Sequence, residues 1–266
     1  MVAPSNPLSR EAAERVTALA RARGDCDLAF DEQCFLVDGH FAGSDEARLA
    51  ALRAAMADRS VDAVWFARGG YGSNRIAEAA MADVPAAAPG KMFMGYSDGG
   101  FLLAALHRAG LSVAHGPMPQ DVLRAGGEAA VGRALDWLVR RDRAALEPDL
   151  AAPAFAFNLT VLSHLLGTPL EPDFTGADLM IEEVAEHHYR IDRLMFHVTA
   201  DANVRRVARL RLGRAADIPA NDPHFGRDEQ AIVEEWCART GIAFGGRADI
   251  GHDAANRVVP FGPIAD

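Results

Sequence analysis

The clearest candidate for chemistry is a serine in the segment Gly95-Tyr96-Ser97-Asp98-Gly99, which fits the pattern G-x-S-x-G. This pattern is typical of a nucleophile elbow, a tight turn between a strand and a helix that projects a serine hydroxyl. An apolar run, 91–94, precedes the turn and a helical pattern, 101–109, follows it. The sequence therefore predicts Ser97 as a nucleophile and the amide of Asp98 as an oxyanion donor. A purely structural turn is the alternative.

A serine nucleophile needs a base and an acid that orients the base. A strand-like segment, 178–184, ends with Glu182 and Glu183 and is followed by Glu186. A histidine in a loop-like context, His252, lies near the C-terminus. The order serine, carboxylate, histidine is one that hydrolases use. From the residues alone the choice of acid stays open among Glu182, Glu183 and Glu186. His115, followed by Gly116 and Pro117, is an alternative histidine for the site.

Composition narrows the class of function. The 266 residues are 50% hydrophobic and 24% charged, which is ordinary globular usage. With 27 Lys and Arg against 37 Asp and Glu, the formal net charge is −10, so we expect no nucleic-acid partner. The three cysteines lack metal-site spacing and no nucleotide-binding glycine motif is complete, so we expect no metal and no cofactor. No leader or membrane-spanning pattern occurs, so we expect a cytoplasmic protein without a membrane partner.

Alternating strand and helix patterns predict an α/β fold with a parallel sheet. Helices are predicted at 11–23, 45–56, 101–109, 128–139, 160–166, 190–200 and 228–240. Strands are predicted at 61–67, 91–94, 111–114 and 178–184. An Ala-, Pro- and Asp-rich stretch, 143–157, predicts a linker between an N-terminal domain, 1–142, and a smaller mixed α/β C-terminal domain, 158–266.

An ordered series of segments resembles the LD-carboxypeptidase family, the muramoyltetrapeptide carboxypeptidases of bacterial murein recycling. The segments are Val2-Ala3-Pro4-Ser5, 41–48, 68–73, 95–98, 115–118, 158–160, 181–184, 189–193 and Gly251-His252. Together they span almost the whole chain. The resemblance implies a flavodoxin-like N-terminal domain of the class I glutamine amidotransferase type, a site between the two domains, and a homodimer.

The resemblance also implies roles for individual residues. Ser97 is the expected nucleophile, His252 the general base and Glu182 its orienting acid, since the family's acid is the first carboxylate after the strand. The expected oxyanion donors are the amide of Asp98 and an amide of the turn at 69–70, assigned to Gly70.

Other residues are expected to contact the substrate. By the resemblance these are Arg68, Gly69, Tyr71 and His115. A carboxypeptidase must also bind a free carboxylate, for which a bidentate arginine is well suited. The candidate arginines are Arg68, Arg75, Arg190, Arg193 and Arg247.

The implied activity is removal of the terminal D-alanine from a murein tetrapeptide through an acyl-enzyme. Two alternatives stay open: an amide hydrolase of the microcin-immunity type acting on peptidyl-nucleotides, and an inactive peptide-binding module of the same fold. The chain departs from the family pattern at Gly99-Gly100, where a β-branched residue and Thr are usual, and at Ala156-Phe157, where a Gly-rich pair is usual. It also departs at 247–250. These departures raise a question of substrate fit.

Overall fold

The computed structural model describes residues 1–151 and 153–263, and it contains two β-sheets with helices packed on them. The helices are α1 (Arg10–Arg23), α2 (Asp45–Ala57), α3 (Asn74–Ala82), α4 (Gly100–Arg108), α5 (Gly127–Arg140), α6 (Leu159–Leu165), α7 (His188–Ala200) and α8 (Glu229–Thr240). The strands are β1 (Ala63–Trp65), β2 (Met92–Gly95), β3 (Ser112–His115), β4 (Ala154–Asn158), β5 (Asp178–Val184), β6 (Arg209–Ala216), β7 (Phe244–Arg247) and β8 (Val259–Pro260). The predicted α/β fold is confirmed.

The first sheet has the order β1-β2-β3-β8. Strands β1, β2 and β3 run parallel, while β8 joins β3 in the antiparallel direction. The first strand of the chain is reduced to a parallel bridge between Val2 and Phe66. Because β8 pairs with Ala114 and His115, the end of the chain returns to the N-terminal sheet. The predicted C-terminal domain, 158–266, therefore does not hold all of its residues in its own sheet.

The second sheet has the order β4-β5-β6-β7, and all four strands are parallel. Sequence reasoning missed β6 and β7, because arginines and glycines interrupt their apolar patterns. The predicted linker, 143–157, extends too far, since β4 begins inside it at Ala154. All five residues of β4 are buried, and a strand buried on both faces lacks the polar alternation that marks most strands.

The two sheets share one hydrophobic core. Four phenylalanines lie at their junction, and their ring centroids are 5.0 to 6.2 Å apart in edge-on or tilted pairs. They are Phe155, Phe157, Phe174 and Phe261. Leu102 and Leu103 of α4, which follow the predicted nucleophile turn, belong to the same buried cluster.

Within the described residues, no helix is both long and apolar enough to cross a bilayer.

Two departures from the family pattern are in contact with each other. Gly100 begins α4, and a Cβ built on it would lie 3.2 Å from Cδ1 of Phe157 and 3.1 Å from Cγ1 of Val161. The absence of a side chain at Gly100 therefore leaves room for the large ring of Phe157. We interpret the two residues as complementary in volume behind the turn.

This compensation predicts coupling between Gly100 and Phe157. Gly100→Thr should cost about 1–3 kcal/mol by overpacking, and Phe157→Ala about 3–5 kcal/mol through the cavity it leaves. In the double variant the new side chain occupies part of that cavity, so the loss should fall at least 0.5 kcal/mol short of the sum. Urea unfolding measures all three free energies.

The matched control is Gly132→Thr, because a Cβ at this helical glycine would meet nothing within 4 Å. Its free energy of unfolding should stay within about 0.5 kcal/mol of the parent. Strict additivity of the Gly100 and Phe157 changes would show that the two positions do not compensate.

Candidate active site

The turn after β2 has the geometry of a nucleophile elbow. Ser97 has φ of 56°, in the left-handed region that residues with a side chain rarely occupy. Backbone in this region costs on the order of 1–3 kcal/mol and persists only where the surrounding structure enforces it. Every residue of 91–100 is buried except Ser97, which is partly exposed. The turn thus presents a single side chain from an otherwise closed segment.

A phenylalanine beneath the turn leaves no room for a side chain at Gly95 and little room for one at Gly99. A Cβ at Gly95 would lie 2.6 Å from Cδ2 of Phe66, and a Cβ at Gly99 would lie 3.2 Å from the same atom. The ring of Phe66 is fully buried. The glycines therefore let the turn pack directly onto an aromatic ring, which fixes its height above the sheet.

Three side chains from distant parts of the chain form a hydrogen-bonded series. The Nε2 atom of His252 lies 3.0 Å from Oγ of Ser97, and its Nδ1 atom lies 2.6 Å from Oε2 of Glu182. Glu182 is fully buried and His252 is 9% exposed. A hydroxyl, an imidazole and a carboxylate in this sequence have the geometry by which an imidazole accepts a serine proton.

Strand alternation separates the three candidate glutamates. Glu182 and Glu183 are neighbours on β5, so their side chains point to opposite faces. Glu183 accepts hydrogen bonds from the Nδ2 of Asn158, at 2.7 Å, and from the amide of Thr160, at 2.9 Å, and so anchors the start of α6. Glu186 lies 3.4 Å from Arg190. Only Glu182 of the three reaches His252.

The electrostatic environment of His252 favours its protonated form. Burial by itself would lower the pKa of His252, but the charge and the hydrogen bond of the Glu182 carboxylate outweigh burial and raise that pKa. The ring also packs on Tyr96, with centroids 4.9 Å apart. Tyr96 in turn donates from its hydroxyl to Asp121 at 2.9 Å. These contacts hold the imidazole from two sides.

The loop that carries His252, residues 248–258, packs against the N-terminal part of the chain and is called the histidine loop below. Arg124 donates to the carbonyl of His252, and Arg133 donates to the carbonyl of Asn256 at 3.2 Å and to that of Ala254. Both arginines belong to the segment from the end of β3 through α5. His252 is therefore positioned by residues of the N-terminal part of the chain, which also carries Ser97.

His115 does not line the cleft, which corrects the expectation from the sequence. It is 1% exposed, and its Nε2 lies 3.0 Å from Oδ1 of Asn256. The same Oδ1 accepts from the amide of Gly251 at 3.2 Å, so Nε2 of His115 must carry the hydrogen and donate. Burial lowers the pKa of His115 to about 4, and the ring is therefore neutral near pH 7. His115 therefore lies behind the site, where it stabilises the histidine loop through its hydrogen bond to Asn256.

The backbone beside Ser97 offers two amides. Asp98 is the second residue of a short 3₁₀ turn, 97–99, where amides have no partner within the helix. The amide of Gly70 donates no hydrogen bond to the described part of the chain. Gly69 approaches closely, since a Cβ there would lie 3.1 Å from Oγ of Ser97. The turn at 69–70 thus lies directly against the hydroxyl.

Three other residues predicted to contact substrate lie beside the turn at 69–70 or in the first turn of α3. Tyr71 is 47% exposed, and its ring lies 6.0 Å from that of Phe41. Arg68 precedes Gly69 and donates to the carbonyl of Pro7 at 3.0 Å. Arg75 forms an ion pair with Asp45 at 2.8 Å.

The remaining candidate arginines lie on the C-terminal part of the chain. Arg190 and Arg193 line a groove of about 380 Å³ between α6 and α7. Arg247 lies 3.9 Å from Glu229 at the end of β7.

Among the described residues, no group of three or more histidine, cysteine, aspartate or glutamate side chains is arranged to hold a metal ion.

Sequence reasoning missed the residues that support the imidazole. Asp121 accepts from the hydroxyl of Tyr96 and forms an ion pair with Arg124 at 3.1 Å. Asn256 joins the histidine loop to His115. The local signals are the acidic residue within the stretch 117–123 and its i,i+3 partner Arg124. The contacts of Asp121 with Tyr96 and of Asn256 with His115 join residues far apart in sequence.

The fold and site together define a two-domain α/β protein in which a serine on a strained turn meets an imidazole and a carboxylate from the second sheet. Models of the LD-carboxypeptidase N-terminal and C-terminal domains match residues 1–116 and 153–266. The chain belongs to the LD-carboxypeptidase family.

Individual proteins show the same relationship. The murein tetrapeptide carboxypeptidase of Pseudomonas aeruginosa is 28% identical over 244 residues, which cover 85% of this chain and 78% of that protein. The crystal structure of muramoyltetrapeptide carboxypeptidase from Oxalobacter formigenes superposes with a TM-score of 0.81 at 25% identity, covering 98% of this chain and 92% of the other. The microcin C7 self-immunity protein MccF shares the fold at 17% identity, with a TM-score of 0.79 and coverage of 98% and 90%.

The pairing of Glu182 with His252 predicts an elevated imidazole pKa. By NMR, the ring protons of His252 should titrate above about 6.5, the ordinary value, and Glu182→Gln should move the midpoint down because the compensating charge is gone. Because the pKa of His252 is higher in the folded than in the unfolded protein, its ionisation stabilises the fold at pH values below the unfolded pKa. That contribution is lost as pH rises through the folded pKa.

Glu186→Gln is the control, since this glutamate pairs with Arg190 and not with the imidazole. It should leave the midpoint of His252 unchanged. An unchanged midpoint in Glu182→Gln would contradict the assigned electrostatics.

Proposed function

We propose that the chain is a serine LD-carboxypeptidase that removes the terminal D-alanine from murein tetrapeptides. The observation that carries the proposal is the series from Ser97 through His252 to Glu182, with separations of 3.0 and 2.6 Å. Membership of the LD-carboxypeptidase family and the likeness to murein tetrapeptide carboxypeptidase support the substrate class.

The proposed first step is acylation. Nε2 of His252 accepts the hydroxyl proton of Ser97 as Oγ attacks the scissile carbonyl carbon. The carbonyl oxygen becomes an oxyanion, to which the amides of Asp98 and Gly70 donate. The carbon–nitrogen bond then breaks, and the His252 imidazolium gives its proton to the departing amine of D-alanine.

The proposed second step is hydrolysis of the ester on Ser97. Water attacks the acyl carbon while His252 takes a proton from it, and the serine oxygen leaves with that proton. Glu182 keeps the imidazole oriented and stabilises the imidazolium without touching substrate. Because only neutral imidazole accepts a proton, kcat/KM should fall as pH drops through the raised pKa of His252.

Recognition of the terminal carboxylate belongs to this proposal as well. Arg68 is the candidate that adjoins the turn at 69–70 in the chain. Arg75 is engaged by Asp45, and Arg190 faces Glu186. We therefore rank Arg68 first for the carboxylate and propose that Tyr71 forms part of the cleft's exposed rim.

The alternative of an amide hydrolase on peptidyl-nucleotides has less support. MccF, which has been crystallised with glutamyl sulfamoyl guanosine, is similar in fold at 16% identity. That level of likeness concerns the fold alone. An inactive binding module is disfavoured because a strained serine bonded to a buried imidazole–carboxylate pair is costly to keep without catalytic use.

The decisive experiment measures free D-alanine released from a purified muropeptide tetrapeptide. The wild type should release it, EDTA should have no effect, and Ser97→Ala should lose on the order of a million-fold in rate. Glu182→Gln should lose about 10⁴-fold, since it orients the base without reacting itself. No release by the wild type, with hydrolysis of an aminoacyl sulfamoyl nucleoside instead, would favour the alternative.

Ser163→Ala is a matched control. Ser163 also lies 2.8 Å from a histidine nitrogen, Nδ1 of His197, but it is inside α6 on ordinary helical backbone. Within the described residues no carboxylate bonds to His197. This variant should keep full activity.

The expected homodimer and cytoplasmic location remain predictions, which light scattering and cell fractionation check.

A further inference from the structure

The side chain of Asp98 has no part in the steps above, yet it is among the most constrained groups near the site. It is 4% exposed and directly follows Ser97. Its Oδ2 atom accepts from Oγ of Ser5 at 2.5 Å and from the amide of Ser73 at 2.8 Å. Burial raises the pKa of this carboxyl, and the hydrogen bonds from both serines oppose that rise. A buried carboxylate needs such donors, so its placement is specific.

Ser73 returns a second bond to the same residue. Its hydroxyl donates to the main-chain carbonyl of Asp98 at 2.5 Å. Ser73 occupies the position before α3 where a serine side chain ordinarily accepts from the helix backbone, but here it makes no such cap. The hydroxyl is used to bind the nucleophile turn at the expense of the helix end.

These partners lie on the two segments that hold the turn at 69–70. Ser73 ends the stretch 68–73, which contains Gly69 and Gly70. Ser5 precedes Asn6, whose amide donates to the carbonyl of Gly69 at 3.2 Å and whose side chain accepts from the amide of Tyr71 at 3.3 Å. The carboxylate of Asp98 thus connects the nucleophile turn to both segments that hold the turn at 69–70.

We infer that the carboxylate of Asp98 is the positioning residue of the oxyanion hole: it holds the amides of Asp98 and Gly70 at a fixed separation on either side of Ser97. The inference rests on the proposed function, because it assigns a support to the donors named there. One residue supplies one donor through its backbone and aligns the other through its side chain. A preorganised pair of donors stabilises charge only where it develops, in the transition state.

Asp98→Asn is the first test, because the amide keeps the shape but removes the negative charge that strengthens the bonds from Ser5 and Ser73. We expect kcat to fall about 100-fold, the size of effect produced by losing or misplacing one oxyanion donor, with KM changed less than about threefold. The acidic limb of the pH profile should stay in place, since the bonds of His252 are untouched. A merely structural defect would move KM or that limb as well, and this result would overturn the inference.

Serine variants test the same connection without altering the acid. Ser5→Ala and Ser73→Ala should each lower kcat about tenfold, as expected for loss of one supporting hydrogen bond. Combined with Asp98→Asn, Ser5→Ala should lower kcat by less than tenfold, because both changes weaken the same bond. Ser73→Ala instead removes the bond from its hydroxyl to the main-chain carbonyl of Asp98 and leaves its amide in place to donate to the carboxylate. Full additivity of Ser5→Ala with Asp98→Asn would overturn the inference. A kcat within threefold of wild type in Ser5→Ala would overturn it as well, even if Asp98→Asn fails to fold.

Ser9→Ala is the matched control. Ser9 caps α1 by accepting from the amide of Ala12 at 3.1 Å, so its loss weakens a helix end without touching the nucleophile turn. Its kcat should equal that of the wild type. A drop like that of Ser73→Ala would mean that general destabilisation explains the effect, against the inference.

Labelling of Ser97 by a fluorophosphonate separates this inference from the proposed function. In that reaction Oγ displaces fluoride from phosphorus, and the phosphoryl oxygen occupies the oxyanion position. If the wild type labels but releases no D-alanine, the proposed substrate is wrong, while slower labelling of Asp98→Asn still supports the positioning role. Labelling of that variant at the wild-type rate, or no labelling dependent on Ser97 in the wild type, would overturn it.

Discussion

The short bond between Glu182 and His252 is the interaction on which the rest of the site depends. It joins β5 to the loop after β7, and it leaves the other ring nitrogen facing Ser97 in the first sheet. Burying a carboxylate is costly unless it is paired, so the buried position of Glu182 is favoured when His252 lies beside it. One oxygen, Oε1 of Glu182, has no hydrogen-bond partner among the described residues, which makes the histidine the main compensation for its burial.

This interaction requires that the two sheets keep a fixed relation. The shared core of phenylalanines and the return of β8 to the first sheet supply the large-scale constraint. Arg124 and Arg133 supply the local one, because they bind main-chain carbonyls of the histidine loop rather than side chains. The imidazole of His252, on the loop after β7, is therefore placed by contacts with the N-terminal part of the chain, and the candidate site forms where the two sheets meet.

Local chemistry made some of the site predictable from the sequence. The nucleophile turn was recognisable because its glycines, its serine and the flanking elements lie within a few residues. The acid was not decided by periodicity, since alternation on β5 says that Glu182 and Glu183 face opposite sides but not which side holds the histidine. His115 was misplaced for a related reason: its partner, Asn256, is 141 residues away and no local pattern reveals it.

The residues behind the site show how packing supports it. Gly100 leaves room for the ring of Phe157 across one contact behind the nucleophile turn. Ala248 and Ile250, in the segment 247–250, are buried in a small cluster with residues of β4 and β5. Substitutions at these positions would therefore change the packing beneath the hydroxyl, the imidazole and the carboxylate and leave the three groups themselves in place.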